Sequence, residues 1–269
     1  MPCKPLIALL LAAASLPALA EEAPPPLTTT VTFVSDYIFR GMTQTWGKPA
    51  LQASVDYNHE SGLYAGIWGS NVSGDAYAGG NLEIDIYGGY NGKINDDWGY
   101  TAGFLHFMYP GANYNKTTYV ALPSQRYNST EVNVGVNYKW VSLKVSQTIG
   151  DLLGFNENTG YTSGTRGSTY VDLSANVPLA EDWTLGLHAG RQHITATTVA
   201  PTLGGSTTPD FTDYRLSLTR TLPQGWNVSA AYTHHSNPEF WNRSVSPNNV
   251  NDTYDIAKDH WVLSVGRTF

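Results

Sequence analysis

Trp261-Val262-Leu263-Ser264-Val265-Gly266-Arg267-Thr268-Phe269 closes the sequence. In an extended strand Trp261, Leu263, Val265 and Phe269 share one face, while Val262, Ser264, Gly266 and Thr268 share the other. A soluble sheet has no particular use for an exposed aromatic at its last position. A strand that closes a membrane barrel has one, because its outward face meets lipid and its end lies in an aromatic girdle. The stretch therefore predicts an all-β chain, a transmembrane antiparallel up-and-down β-barrel whose last strand is 260–269.

The same period runs backwards through the chain. Twelve alternating segments fall at roughly 29–40, 49–58, 62–70, 82–91, 98–108, 129–138, 141–149, 168–177, 183–193, 212–221, 226–235 and 260–269. Each is near the ~9–11 residues that a tilted membrane strand needs. In the second, Leu51, Ala53, Val55 and Tyr57 oppose Gln52, Ser54, Asp56 and Asn58. The third and fifth depart from the pattern, setting Tyr64, Trp68, Leu105 and Phe107 on the presumed inner face. Connections from even to odd segments are short (His59-Glu60-Ser61, Lys139-Trp140). Those from odd to even are mostly long: 109–128, 150–167, 194–211 and 236–259. That asymmetry belongs to an outer-membrane barrel with short periplasmic turns and long extracellular loops. It also places Trp98, Trp183 and Trp226 at the start of upward strands, where the inner girdle lies. A soluble β-sandwich or barrel alternates too, but requires neither the loop asymmetry nor the tryptophans.

Composition agrees. Charged residues make up 14% of the chain, with 17 Tyr, 8 Trp and 26 Gly, where soluble proteins carry about 25% charge. A net charge of −7 argues against nucleic acid, which selects a basic surface. Lys4, the apolar run from Leu6 to Leu16 and Ala18-Leu19-Ala20 read as a secretory signal over 1–20, too short to span a bilayer. Its removal takes Cys3, the single cysteine, and with it all thiol chemistry. Residues 21–28, with Pro24-Pro25-Pro26, are expected to form a flexible periplasmic leader, and 29–269 the barrel. The predicted location is the outer membrane of a Gram-negative bacterium. The expected partners are outer-membrane lipid and, through the C-terminal strand, the barrel-assembly machinery; no feature fixes an oligomeric state. That strand is similar to those of bacterial outer-membrane proteins, which typically end in Phe. Arg267 takes an outward place usually held by an apolar residue, from which a guanidinium near the interface snorkels to headgroups.

The opening carries a more specific likeness. Ser35-Asp36-Tyr37-Ile38-Phe39-Arg40-Gly41-Met42-Thr43-Gln44 resembles the first motif of the TorF family of porins. The likeness continues through Pro49-Ala50-Leu51-Gln52, Ser61-Gly62-Leu63-Tyr64-Ala65-Gly66-Ile67-Trp68, Ser70-Asn71-Val72 and Glu83-Ile84-Asp85-Ile86-Tyr87-Gly88-Gly89-Tyr90. It spans roughly residues 31–105. The resemblance implies an outer-membrane porin for passive diffusion of small hydrophilic solutes, without fixing one solute.

Read from the residues, Phe33 facing lipid turns Thr32, Asp36 and Arg40 into the lumen. Asp36 and Arg40 then share a face ~13 Å apart along the strand, and Arg40 is placed to pair with Glu83 or Asp85 across the lumen. Asp56, Asp172 and Arg215 complete the set of lumen or constriction candidates, and Glu131, Lys144 and Asp213 fall on the same faces. The set reads as a charged constriction that orients a solute's dipole, or as a salt-bridge network that braces a narrow barrel. Barrels of this size fill their interiors with side chains, which favours bracing. Acidic groups outnumber basic ones, so a permeable lumen favours cations or zwitterions modestly.

Two competing readings stay open. Tyr232-Thr233-His234-His235-Ser236-Asn237 places His234 and Ser236 on the outward face, resembling the His-x-Ser-Asn of outer-membrane phospholipase A and the lipid A deacylases. There a histidine activates a serine against a lipid ester. Pro238-Glu239 replaces the Gly-Arg that follows in the phospholipase, and the orienting third group would have to be Asn242 or Glu239. The other reading is a non-conducting structural or adhesion barrel. His106, His188 and His193 lie on separate strands with no metal spacing, so neither a metal, a cofactor nor a catalytic residue is expected, and the chain reads as no enzyme.

Overall fold

The computed structural model describes residues 26–269; the signal segment 1–20 and most of the proposed leader lie outside them. In chain order the strands are β1 (Leu27–Val34), β2 (Ile38–Phe39), β3 (Met42–Thr43), β4 (Ala50–Asn58), β5 (Leu63–Asn71), β6 (Leu82–Lys93), β7 (Trp98–Met108) and β8 (Ser129–Tyr138). There follow β9 (Val141–Thr148), β10 (Thr169–Ala180), β11 (Trp183–His193), β12 (Phe211–Thr221), β13 (Trp226–His235), α1 (Pro238–Trp241), β14 (Ser244–Ser246), β15 (Asn249–Tyr254) and β16 (His260–Thr268). Twelve of these strands form one closed antiparallel barrel in the order β1-β16-β13-β12-β11-β10-β9-β8-β7-β6-β5-β4. β1 closes it against β16, with Val31 opposite Arg267 and Phe33 opposite Val265. At the end of the chain, the backbone of Phe269 exchanges hydrogen bonds with that of Thr29 at 2.9 and 3.3 Å.

Closure answers the demand that lipid makes of a backbone, that every N–H and C=O be paired within the protein. No helix among the described residues is long and apolar enough to cross a membrane. The outward faces are apolar and uncovered. Trp261 is 75% and Leu263 63% exposed, while Val262 between them is 6% exposed. Val132, Val134, Val136, Leu143, Leu173 and Leu216 extend this outer belt around the wall. Where the turns are short, Trp98 packs on Tyr138 at 4.8 Å, and the guanidinium of Arg267 lies over Trp226 and Phe269 at 5.4 and 4.5 Å. The outward arginine thus stacks within the girdle at the rim, consistent with its snorkelling.

One segment leaves the wall. The period carries the first strand to residue 40, but β1 ends at Val34. Residues 35–49 turn inward as a hairpin, β2 against β3, with Ile38 opposite Thr43 and Phe39 opposite Met42. Alternation persists there because a hairpin has the same period as a wall strand. Two local features take the chain off the wall. Arg40 and Gly41 both adopt left-handed conformation (φ +47° and +77°), as the two central residues of a type I′ turn must. Asp36 accepts from Thr43 Oγ1 at 2.5 Å and Thr45 Oγ1 at 2.8 Å, bonds that draw the two arms together.

The hairpin docks on the inward aromatics that spoiled the alternation of β5 and β7. Tyr37 meets Trp68 edge-on at 5.3 Å, and Phe39 meets Phe107 at 5.6 Å. Above it the long loops pack on one another. Leu152, Tyr161, Ile194, Phe211, Phe240 and Trp241 form an apolar cluster joining three of them. Thr43 ties the hairpin to the last of these loops, its N–H donating to Ile256 O at 3.0 Å, and Gln44 O accepts from Ser73 N at 2.9 Å in the β5–β6 connection.

Candidate functional site: the lumen beneath the hairpin

The hairpin carries its tip across the lumen near the loop end of the wall. Arg40 Nη2 donates to Glu131 Oε2 at 2.7 Å and Nη1 to Gln192 Oε1 at 2.8 Å. Its guanidinium lies 4.0 Å from the centre of the Tyr170 ring, a cation–π contact in a site where little water competes. Arg40 therefore pairs with Glu131 on β8, not with Glu83 or Asp85. The hairpin carries the arginine away from its own strand and across to β8–β11. A left-handed arginine costs about 1–2 kcal/mol, and the contacts at the tip hold it there.

Asp36 and Arg40 do not form a pair of wall positions. Asp36 sits at the base of the hairpin, where His260 Nδ1 approaches its Oδ2 at 3.2 Å. Glu83 and Asp85 do face inward, but under the hairpin and fully buried. Asp85 lies in register between Trp68 and Phe107, the two rings that receive the hairpin. Tyr109 donates to Glu83 Oε1 at 3.0 Å; Glu83 Oε2 and both oxygens of Asp85 have no donor among the described residues. The hairpin thus covers these two carboxylates rather than leaving them to line an open passage.

The remaining candidates are half-buried on the inner wall, with Asp172 and Arg215 just below the hairpin tip and Asp56 near the short-turn end of β4. Asp56 accepts from Ser54 Oγ at 2.7 Å and from the Tyr87 hydroxyl. Asp172 accepts from Ser174 Oγ at 2.6 Å. His188 bridges two acids, with Nε2 3.0 Å from Asp213 and Nδ1 3.4 Å from Asp172, and Tyr170 donates to Asp213 at 2.9 Å. Arg215 lies opposite His188 on the neighbouring strand. Apart from Asp56, the inner face towards the short turns is small and uncharged, with Thr101, Asn133, Asn137 and Ser217 among its half-buried residues.

Residues 19–269 match the family described as "Bacterial protein of unknown function (Gcw_chp)". The chain belongs to the Gcw_chp family. No curated protein matches it. Among solved structures this Gcw_chp chain is similar to the NanC porin, with a TM-score of 0.54 and 10% identity over 90% of this chain and 98% of that one. It is also similar to the KdgM porin in complex with disordered oligogalacturonate, with a TM-score of 0.52 and 8% identity over 90% of this chain and 99% of that one. At these identities the likeness speaks to the barrel alone. Neither match reaches the TorF family specifically.

On the outer surface of the Gcw_chp barrel, His234 Nδ1 lies 2.7 Å from Asp259 Oδ1, so Asp259, and neither Asn242 nor Glu239, holds the ring. The Tyr232 hydroxyl donates to the same carboxylate. Ser236 Oγ accepts from the Thr212 amide at 2.8 Å, and no hydrogen bond joins it to His234 among the described residues. A base without its nucleophile is not a dyad. No group of three or more His, Cys, Asp or Glu among the described residues is arranged to hold a metal ion.

Sequence reasoning left Glu131 outside the constriction set, read His188 as an isolated histidine, and passed over Gln192 and Tyr170. Each lies on the inward parity of its strand, which was the available signal. Their convergence needs the hairpin, which strand period alone does not distinguish from a longer wall strand.

Proposed function

We propose that this protein is an outer-membrane porin for small hydrophilic solutes, its passage narrowed at the loop end by the 35–49 hairpin. The observation that carries the reading is the contrast between the two faces of one wall: apolar outside, and inside a lining of small polar groups with charges gathered beneath the hairpin. A barrel that served only as a platform for its loops is expected to fill its interior with bracing side chains, whereas here residues as small as Thr101, Asn133 and Ser217 line the inner face towards the short turns. The TorF-like opening motif supports the same reading, and its most distinctive part, Ser35 to Gln44, is the hairpin itself. The outer membrane is the compartment that accepts closed barrels of this kind.

Planar-bilayer conductance of the folded chain tests it, beside a variant in which residues 36–46 are replaced by a short Gly-Ser linker. Conductance steps that grow in the linker variant establish a pore and locate its constriction at the hairpin. Steps of equal size in both keep the pore and move the constriction. A folded linker variant that conducts nothing sinks the porin reading.

A further inference from the structure

Most lumenal carboxylates are answered from within the protein. Glu131 has Arg40, Asp213 has Tyr170 and His188, and Asp172 has Ser174 and His188. Two lumenal cations are not. Lys144 on β9 and Arg215 on β12 have no carboxylate within 4.0 Å and no hydrogen bond to another group among the described residues. Asp172 is opposite Lys144 in register and feels its charge, yet its own bonds go to His188 and Ser174. Both cations are half-buried in the layer just beneath the hairpin. A guanidinium offers five donors in a planar fork, and a wall that holds it part-dehydrated without an acceptor favours an anion arriving from the lumen.

Their placement around the ring adds a direction. β9 and β12 flank β10 and β11, and the register Lys144–Asp172–Gly190–Asp213 sets Arg215 two residues further along, so the two cations lie about 16 Å apart at ~4.8 Å per strand and ~3.4 Å per residue, a span that two long side chains can close around one group. In the ring of twelve, β10 is six strands from β4, which puts Asp56 on the facing wall. Asp56 is bonded only by hydroxyls, so its charge is not cancelled by a neighbouring cation. Unpaired positive groups thus occupy one wall and an uncancelled carboxylate the other, a transverse field across the accessible lumen.

We propose that Arg215 and Lys144 form a carboxylate subsite for small zwitterionic solutes whose ammonium end is drawn to Asp56. The proposal rests on the porin reading and names the solute class that this lumen selects. Arg215 takes the carboxylate through two parallel N–H donors, and Lys144 adds a point charge.

The test separates binding from passage. Calorimetric titration of the folded protein in detergent uses L-glutamine as the probe, with pyroglutamate as a carboxylate lacking the ammonium. Arg215→Gln, with Lys144→Gln beside it, is expected to weaken glutamine binding by about tenfold, as when a hydrogen bond to a charged group is lost. The wild type should prefer glutamine to pyroglutamate, and Asp56→Asn should remove that preference. Equal binding in wild type and both cation variants, or no binding at all, overturns the subsite. An absent preference in the wild type overturns the dipolar reading. Swelling of liposomes in glutamine against arabinose, a neutral solute of similar mass, reads passage. Binding without entry of either solute overturns the porin and leaves the subsite standing.

Discussion

The guanidinium of Arg40 donates to Glu131 at 2.7 Å, joining the tip of an inward hairpin to a wall strand 91 residues further along the chain. Both side chains are almost fully buried, at 9% and 4% exposure. A buried ion pair contributes little net stability by itself, but removing one partner strands the other charge and costs about 3–5 kcal/mol. Arg40→Gln and Glu131→Gln are therefore each expected to unseat the hairpin, and the double variant to lose much less than the two losses added together. Hydrogen exchange at the Thr43 and Gln44 amides reads the seating. Strictly additive losses would show that the pair does not hold the hairpin.

Gly41 has a different vulnerability. A Cβ there meets Asp213 Cβ at 2.9 Å and His235 Cδ2 at 3.1 Å, at a φ of +77°. Gly41→Ala is expected to cost about 1–2 kcal/mol for the left-handed residue, with the close contacts adding to it. The wall should stay intact, so the heat-resistant gel mobility of the folded barrel is retained while hairpin amides exchange faster. Unchanged exchange would mean that the tip tolerates a side chain.

Asp75 clasps three outer segments: Ser246 and Asn248 donate to one oxygen at 2.9 and 3.1 Å, Ser73 to the other at 3.2 Å, and Lys48 stands 3.6 Å away. Partial burial pushes its pKa up, but the bonds from Ser246, Asn248 and Ser73 and the charge of Lys48 outweigh it and hold the group below its ordinary value. A carboxylate depressed in the folded state stabilises fully above its unfolded pKa, about 3.9, and that stability is lost as pH falls through the folded value. Amide exchange in 73–77 and at Ser246 and Asn248 should accelerate below about pH 4. Asp75→Asn should show fast exchange at neutral pH and little further change on acidification. A pH response that survives Asp75→Asn would assign it elsewhere.

The last strand tests the membrane assignment at adjacent positions. Leu263 faces out and Ser264 faces in, both near the middle of β16. Leu263→Lys should destabilise the folded barrel in lipid by about 2–4 kcal/mol, the cost of a lysine at the bilayer midplane. Ser264→Lys meets hydrated lumen and should cost far less. Urea titration in vesicles compares them, and equal costs would contradict a lipid-facing Leu263.

How far the sequence went differs between wall and lumen. Eleven of the twelve wall segments were legible to within about three residues, because each runs between a turn signal and a loop and keeps one apolar face throughout. Trp98, Trp183 and Trp226 marked the turn end without reference to any contact. The exception is the first segment, whose residues 35–40 continue the alternation after the strand has left the wall. Asp36 and Arg40 were legible as inward groups; the hairpin base and the far-wall partner that they reach were not.

Strand period and loop length by themselves determined the closed barrel, because lipid permits only a closed sheet and a two-residue period allows only one apolar face. Tertiary structure alone decided where Ser35 to Pro49 go. Residues 35–40 suit a wall strand and a hairpin arm equally well by local pattern, and the difference lies in Trp68, Phe107 and Glu131. These three belong to other strands and meet the hairpin only once the ring has closed. The same closure settles which charges cancel. Glu131 is neutralised from across the lumen, while Arg215 and Lys144 have no ion-pair or hydrogen-bond partner among the described residues, and no count of acidic and basic residues reveals that division.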